Sequence, residues 1–124
     1  MMAEHRFKPG EKCKVSLSYE AVYPDPLIVK AGEKLSVGQN DTQWPYWVWC
    51  TKQEGKSGWM PESYLDRTGS QGVARRDYDA TELSASAGEI LVVGYEESGW
   101  IWCTNRHGQS GWIPLDNIVE AQRD

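Results

Sequence analysis

The chain has 124 residues, 13 of them Lys or Arg and 18 Asp or Glu, for a net charge of −5 at pH 7, and 40% of it is apolar. That apolar share is too high for a disordered tail and no run is long enough to cross a bilayer, so the expectation is a soluble, folded chain of one ordinary domain or two very small ones. Residues 1–68 carry nine basic and nine acidic side chains and residues 69–124 four and nine. With no basic stripe anywhere, neither nucleic acid nor a membrane surface is an expected partner.

The opening stretch from Met1 to Pro9 lacks the apolar core of a secretory signal and reads as a short polar lead-in, with a cytoplasmic location as the consequence. After it, Val15 and Leu17, and then Leu35 and Val37, alternate with polar neighbours, the period of half-buried strands; helical spacing is absent. The seven tryptophans, against one phenylalanine, fall into a pattern. Trp47-Val48-Trp49-Cys50-Thr51 with Gly58-Trp59-Met60-Pro61 recurs as Trp100-Ile101-Trp102-Cys103-Thr104 with Gly111-Trp112-Ile113-Pro114, at an offset of 53. Upstream, Ala31-Gly32-Glu33 matches Ala87-Gly88-Glu89 at an offset of 56, and Tyr19-Glu20-Ala21 matches Tyr78-Asp79-Ala80 at 59, so the length differences fall in loops. The chain is an internal duplication.

Each copy is near the lower limit for a domain that folds without disulfides or metal. Gly55 and Gly108 lie where hairpin turns between the aromatic strands are needed, and Pro61 and Pro114 end strands where a missing N–H is tolerated. The prediction is all-β, two small antiparallel barrels in tandem, spanning 10–67 and 73–121. Arg67-Thr68-Gly69-Ser70-Gln71-Gly72 between them has the composition of a short linker.

Each copy resembles an SH3 domain. In the second, Ala74-Arg75-Arg76-Asp77-Tyr78 resembles the family's opening motif, Gly88-Glu89 its diverging turn, Trp100 its first tryptophan, and Gly111-Trp112-Ile113-Pro114 through Val119 its closing motif. In the first the series runs Val15-Ser16-Leu17-Ser18-Tyr19, Gly32-Glu33, Trp47 and Gly58-Trp59-Met60-Pro61-Glu62-Ser63-Tyr64-Leu65. The pairing is similar to a group of small prokaryotic proteins built from two variant SH3 domains. The resemblance implies a non-enzymatic module of the cytoplasm that binds an extended, proline-rich peptide of a partner protein on aromatic ridges. It implies Tyr19, Trp47, Trp59, Pro61 and Tyr64 with Asp25 as the acid in copy one, whose longer loop from Gly38 to Trp47 adds Trp44 as a wall of the groove, and Tyr78, Trp100, Trp112 and Pro114 with Glu82 in copy two. The family's opening tyrosine is Leu17 or Arg76 here, and its closing one is kept as Tyr64 but replaced by Asn117, so the first copy is expected to bind.

Against the ligand stands packing. Val48 and Cys50 should face inward and Trp47 and Trp49 outward, because so small a barrel has no room for two indoles; ligand is favoured for Trp47 and Trp100, domain packing for Trp49 and Trp102. Cys13, Cys50 and Cys103 read as buried thiols, and His5, His107, Glu96 and Glu97 as solvated. No metal, cofactor or catalytic set is expected. The rival readings are a structural protein whose aromatic faces are buried by self-association, from monomer to weak homo-oligomer, and a small-molecule or cell-wall glycan binder, since tryptophan also stacks on sugars.

Overall fold

The computed structural model describes residues 7–22 and 25–121. The strands are β1 (Lys12–Val15), β2 (Ile28–Val29), β3 (Lys34–Asn40), β4 (Trp47–Lys52), β5 (Ser57–Pro61), β6 (Leu65–Thr68), β7 (Gln71–Ala74), β8 (Tyr78–Asp79), β9 (Ile90–Glu97), β10 (Trp100–Thr104), β11 (Ser110–Pro114) and β12 (Ile118–Glu120). Single 3₁₀ turns, Glu62–Tyr64 and Leu115–Asn117, follow Pro61 and Pro114. The architecture is all-β and antiparallel, as the alternation predicts.

The chain divides into two compact units that do not follow the sequence copies. One, the continuous barrel, runs from 25 to 81 with sheet order β5-β4-β3-β7-β6 and the small pair β2·β8. The other, the split barrel, joins the segment up to residue 24 to the segment from Glu82 onward, in the order β11-β10-β9-β1-β12. Each barrel thus takes its opening strand from the other copy. The stretch read as a linker explains why. Thr68 pairs with Gln71 across Gly69 and Ser70, Gly69 has φ +61°, and β7 therefore folds straight back on β6 as a hairpin. It fills the place that β1 fills in the split barrel: Gly72 and Ala74 pair with Leu35 and Leu65 as Cys13 and Val15 do with Leu91 and Ile118.

Side-chain volume suits each strand to its barrel. A Cβ on Gly72 would lie 3.0 Å from Val37 Cγ2 and 3.4 Å from Leu65 Cδ2, so Cys13 at that station would overpack the continuous core. In the split barrel Cys13 and Val15 are wholly buried among Phe7, Leu83, Leu91, Val93, Ile101, Cys103, Ile113 and Ile118. The lead-in is therefore not merely polar. Phe7 belongs to the core and its N–H donates to Glu96 Oε1 at 2.8 Å, which buries the Glu96 carboxylate that the sequence placed in solvent. Leu17, expected inward, lies beyond the end of β1 and is 61% exposed. His5 lies outside the described residues, and His107 is exposed.

Two outcomes follow from this construction. Fragments 1–69 and 70–124 made separately should each lack a well-dispersed amide spectrum and recover it on mixing; two independently dispersed spectra would show that each copy closes on its own opening strand. The thiols give the second. All three cysteines are buried and free. Burial pushes the Cys50 thiol up to about 11, with Arg67 opposing. The Cys103 thiol donates to the Cys13 sulfur, which holds Cys13 below its ordinary value and Cys103 above. At pH 8 about one Cys50 in a thousand is thiolate, so a bulky thiol reagent should leave it unlabelled in the folded protein and react at once in denaturant. Because its folded value is raised, the stabilisation from Cys50 is complete below about pH 9 and is lost as the pH climbs towards 11.

Candidate functional site

The strand exchange redistributes the predicted groove residues. The split barrel holds Tyr19, Glu82, Trp100, Trp112 and Pro114; the continuous barrel holds Asp25, Trp44, Trp47, Trp59, Pro61, Tyr64 and Tyr78. Tyr19 thus stands with Trp100, and Tyr78 with Tyr64.

In the split barrel, Tyr19 is placed by a two-way backbone bridge to Ala85, N–H to O at 2.8 Å and back at 2.9 Å. Its segment is anchored further by Asn117, whose Nδ2 donates to the carbonyls of Leu17 at 3.0 Å and Ser18 at 3.3 Å. Asparagine at the family's closing tyrosine position is therefore a backbone clamp. Trp100 begins β10 after a two-residue turn, Ser98 (φ +48°) and Gly99 (φ +92°), which brings it opposite Glu97. The Tyr19 and Trp100 rings meet edge to face at 5.8 Å, and both are half-buried. The Tyr19 hydroxyl donates to Glu82 Oε1 at 2.7 Å, an oxygen that also accepts the Val22 N–H at 2.9 Å, so a carboxylate is fixed beside the aromatic pair. Along Tyr19 runs a groove of about 440 Å³ lined by Ser18, Glu20, Ser84, Ser86 and Glu89. Trp112 is buried at 2% exposure, and Pro114 is buried as the strand partner of Trp100.

The equivalent place in the continuous barrel is closed. Trp47, expected to face outward, is 4% exposed, and Tyr64 and Tyr78 are 5%. Their rings pack edge to face at 5.7 Å, the Tyr78 hydroxyl donates to the Trp59 carbonyl at 2.8 Å, and the Arg76 guanidinium lies 4.4 Å over the Tyr64 ring. Arg76 occupies the position of the family's opening tyrosine and covers one face of the Tyr64 ring. Asp25, expected to attract a ligand's basic residue, is paired with Lys56 Nζ at 2.8 Å. Pro61 is buried as a strand partner of Trp47, and Trp44 is half-buried in the loop before β4. The strand parity itself is as read, with Val48 and Cys50 wholly buried.

Trp49 and Trp102, assigned from sequence to packing between domains, each meet an indole of their own sheet. Trp49 meets Trp59 edge to face at 5.0 Å, and Trp102 meets Trp112 at 5.5 Å. The glycines that permit this are Gly38 and Gly94, where a Cβ would lie 3.2 Å from the Trp49 carbonyl and 3.0 Å from Trp102 Cδ1. Among the described residues no group of three His, Cys, Asp or Glu side chains is arranged to hold a metal ion, and no helix is long and apolar enough to cross a membrane.

Two small antiparallel barrels, each closed by a strand–3₁₀–strand segment and carrying aromatics beside its opening loop, define a tandem of SH3 type. The variant SH3 domain family matches the chain twice, over residues 12–66 and 72–121, and the chain belongs to that family. No curated protein matches it closely enough to add a relative. The two matched stretches are the sequence copies, so the exchange of opening strands is a property of the fold that each copy's motif does not carry.

Truncating Trp47 is accordingly a stability change. Trp47→Ala should cost roughly 3–5 kcal/mol of unfolding free energy by denaturant titration, and Trp100→Ala distinctly less. Equal and small losses would show that Trp47 is not part of the packed interior.

Proposed function

We propose that this protein is a non-enzymatic binding module of the cytoplasm that holds an extended, proline-containing segment of a partner protein, and that the segment lies on the split barrel at Tyr19 and Trp100. SH3 domains are generally protein-interaction modules without catalytic roles. The observation that carries the reading is the half-buried Tyr19–Trp100 pair with Glu82 pinned to its rim, set against a counterpart that is buried and capped by Arg76. A polyproline II ligand needs flat aromatic faces in reach, and among the described residues the split barrel keeps half-buried aromatics at this position while the continuous barrel buries Trp47, Tyr64 and Tyr78. Glu20 and Glu89 line the groove along Tyr19, Glu82 accepts its hydroxyl, and Glu97 pairs with Trp100 across the strands, so the segment is one that carries Arg or Lys beside its prolines. Three buried thiols without a disulfide among them fit a reducing compartment.

The test is an amide and indole chemical-shift titration of the full chain with proline-rich peptides carrying either Arg or Glu at the flank. The Arg peptides should move the Trp100 indole N–H, with affinity falling as salt rises. Trp100→Ala should weaken binding by about thirtyfold, the equivalent of about 2 kcal/mol at an interface anchor, and Glu82→Gln should erase the preference for Arg over Glu. Absence of shifts in the parent protein would remove proline-rich peptides as the ligand, and shifts centred on Trp47 would place the groove on the other barrel.

A further inference from the structure

A second groove, on the continuous barrel, is lined by residues of different chemistry and does not depend on the peptide groove. On the continuous barrel, Trp49 and Trp59 are cross-strand partners whose rings stand at 75° to one another. With Gln39, Asn40, Asp41 and Thr42 they line an open groove of about 450 Å³, within the range of small-ligand sites. The split barrel repeats the indole pair as Trp102 and Trp112, with nearly the same spacing and tilt. There, however, the residue equivalent to Gln39 is Tyr95. Its ring lies parallel to Trp102, at 6.4 Å and 18°, and edge-on to Trp112 at 5.3 Å. One barrel thus covers its indole pair with its own six-membered ring, and the other leaves the same pair uncovered by residue 39.

The rim of the Trp49–Trp59 groove says what kind of ring would suit it. Gln39 and Thr42 make no side-chain hydrogen bond among the described residues. Asn40 donates Nδ2 to the Pro45 carbonyl at 2.6 Å, which leaves its amide oxygen. Asp41 Oδ1 accepts the N–H groups of Gln43 at 2.8 Å and Trp44 at 3.3 Å, which fixes the loop and leaves its second oxygen. An indole corner edged by an amide, a hydroxyl and a carboxylate oxygen matches a pyranose. The C–H bonds of such a ring meet the electron-rich indole face, and its hydroxyls both donate and accept at the rim. A plain aromatic ring would leave the rim groups unmatched and offer the indoles nothing that Tyr95 does not already offer Trp102. We propose that the Trp49–Trp59 groove, rimmed by Gln39, Asn40, Asp41 and Thr42, binds a pyranose unit of a saccharide, and that Tyr95 occupies the corresponding place in the split barrel.

The experiment follows the indole N–H signals of the seven tryptophans in the full chain. The probes are maltotriose, cellotriose, a mannose trisaccharide and the N-acetylglucosamine trisaccharide, with N-acetyltyrosinamide as the aromatic control, each to about 20 mM so that millimolar affinity is visible. At least one trisaccharide should produce saturable shifts at Trp49 and Trp59 and none at Trp100. Gln39→Tyr, an exposed substitution that copies the split barrel, should weaken that binding more than tenfold while leaving the rest of the spectrum and the proline-peptide shifts at Trp100 in place. Failure of the peptide titration therefore leaves this proposal standing, and the reverse. It is overturned if no trisaccharide moves Trp49 or Trp59, if Gln39→Tyr binds as the parent does, or if only N-acetyltyrosinamide moves them.

Discussion

The turn at Gly69 and Ser70 is too short for the chain to leave the sheet it has just entered, and this constraint governs the rest. Once β6 is laid down, β7 must return beside it, and the seat next to β3 and β6 is then taken. The strand β1 from the first copy cannot use that seat, and its Cys13 at the Gly72 station would crowd Val37 and Leu65 in any case. It closes the second copy's sheet instead, between β9 and β12, where Cys13 and Val15 complete the core. Turn length fixes the connectivity, and side-chain volume agrees with it.

The exchange also decides which aromatics meet. An opening segment carries its tyrosine with it, so Tyr19 travels to Trp100 and Tyr78 to Tyr64. What then separates the two barrels is the pair of residues at the family's tyrosine positions. Arg76 and Tyr64 stack on each other and close one face. Leu17 and Asn117 do not stack; the asparagine is engaged with backbone carbonyls, and the leucine side chain stands in solvent. The barrel that departs further from the family's aromatic set is for that reason the one whose remaining aromatics stay within reach.

Much of this was legible in the sequence. The duplication, the antiparallel strands, the glycine hairpins at Gly55 and Gly108 and the inward Val48 and Cys50 follow from period, offset and small-residue placement. The partnership of the copies was not, because Gly69-Ser70 has the composition of a linker and of a tight turn alike, and only the register of Thr68 against Gln71 separates them. Reading the groove residues copy by copy consequently joined Tyr19 to Trp47, which belong to different barrels. The burial of Trp47 and Glu96 depended on tertiary neighbours that no local pattern encodes, Phe7 in the second case. The contrast between Gln39 and Tyr95 was visible at the offset of 56 and acquires meaning only once the indole pairs beneath are seen.

In the split barrel β12 and β1 lie side by side, with Glu120 opposite Cys13 as Arg67 lies opposite Gly72 in the hairpin of β6 and β7. The strand path is therefore a closed ring of two equivalent arcs, cut at one of its two equivalent corners. A permuted gene that joins Ala121 to Lys12 through a two-residue turn, giving up Phe7 and its contact with Glu96, and opens the ring between Gly69 and Ser70 would encode the same twelve strands in the same order around each sheet. In that order it would be the present continuous barrel that is assembled from two separate stretches of sequence. Which barrel is interrupted is thus an accident of where the ring is opened, and the exchange itself belongs to the ring.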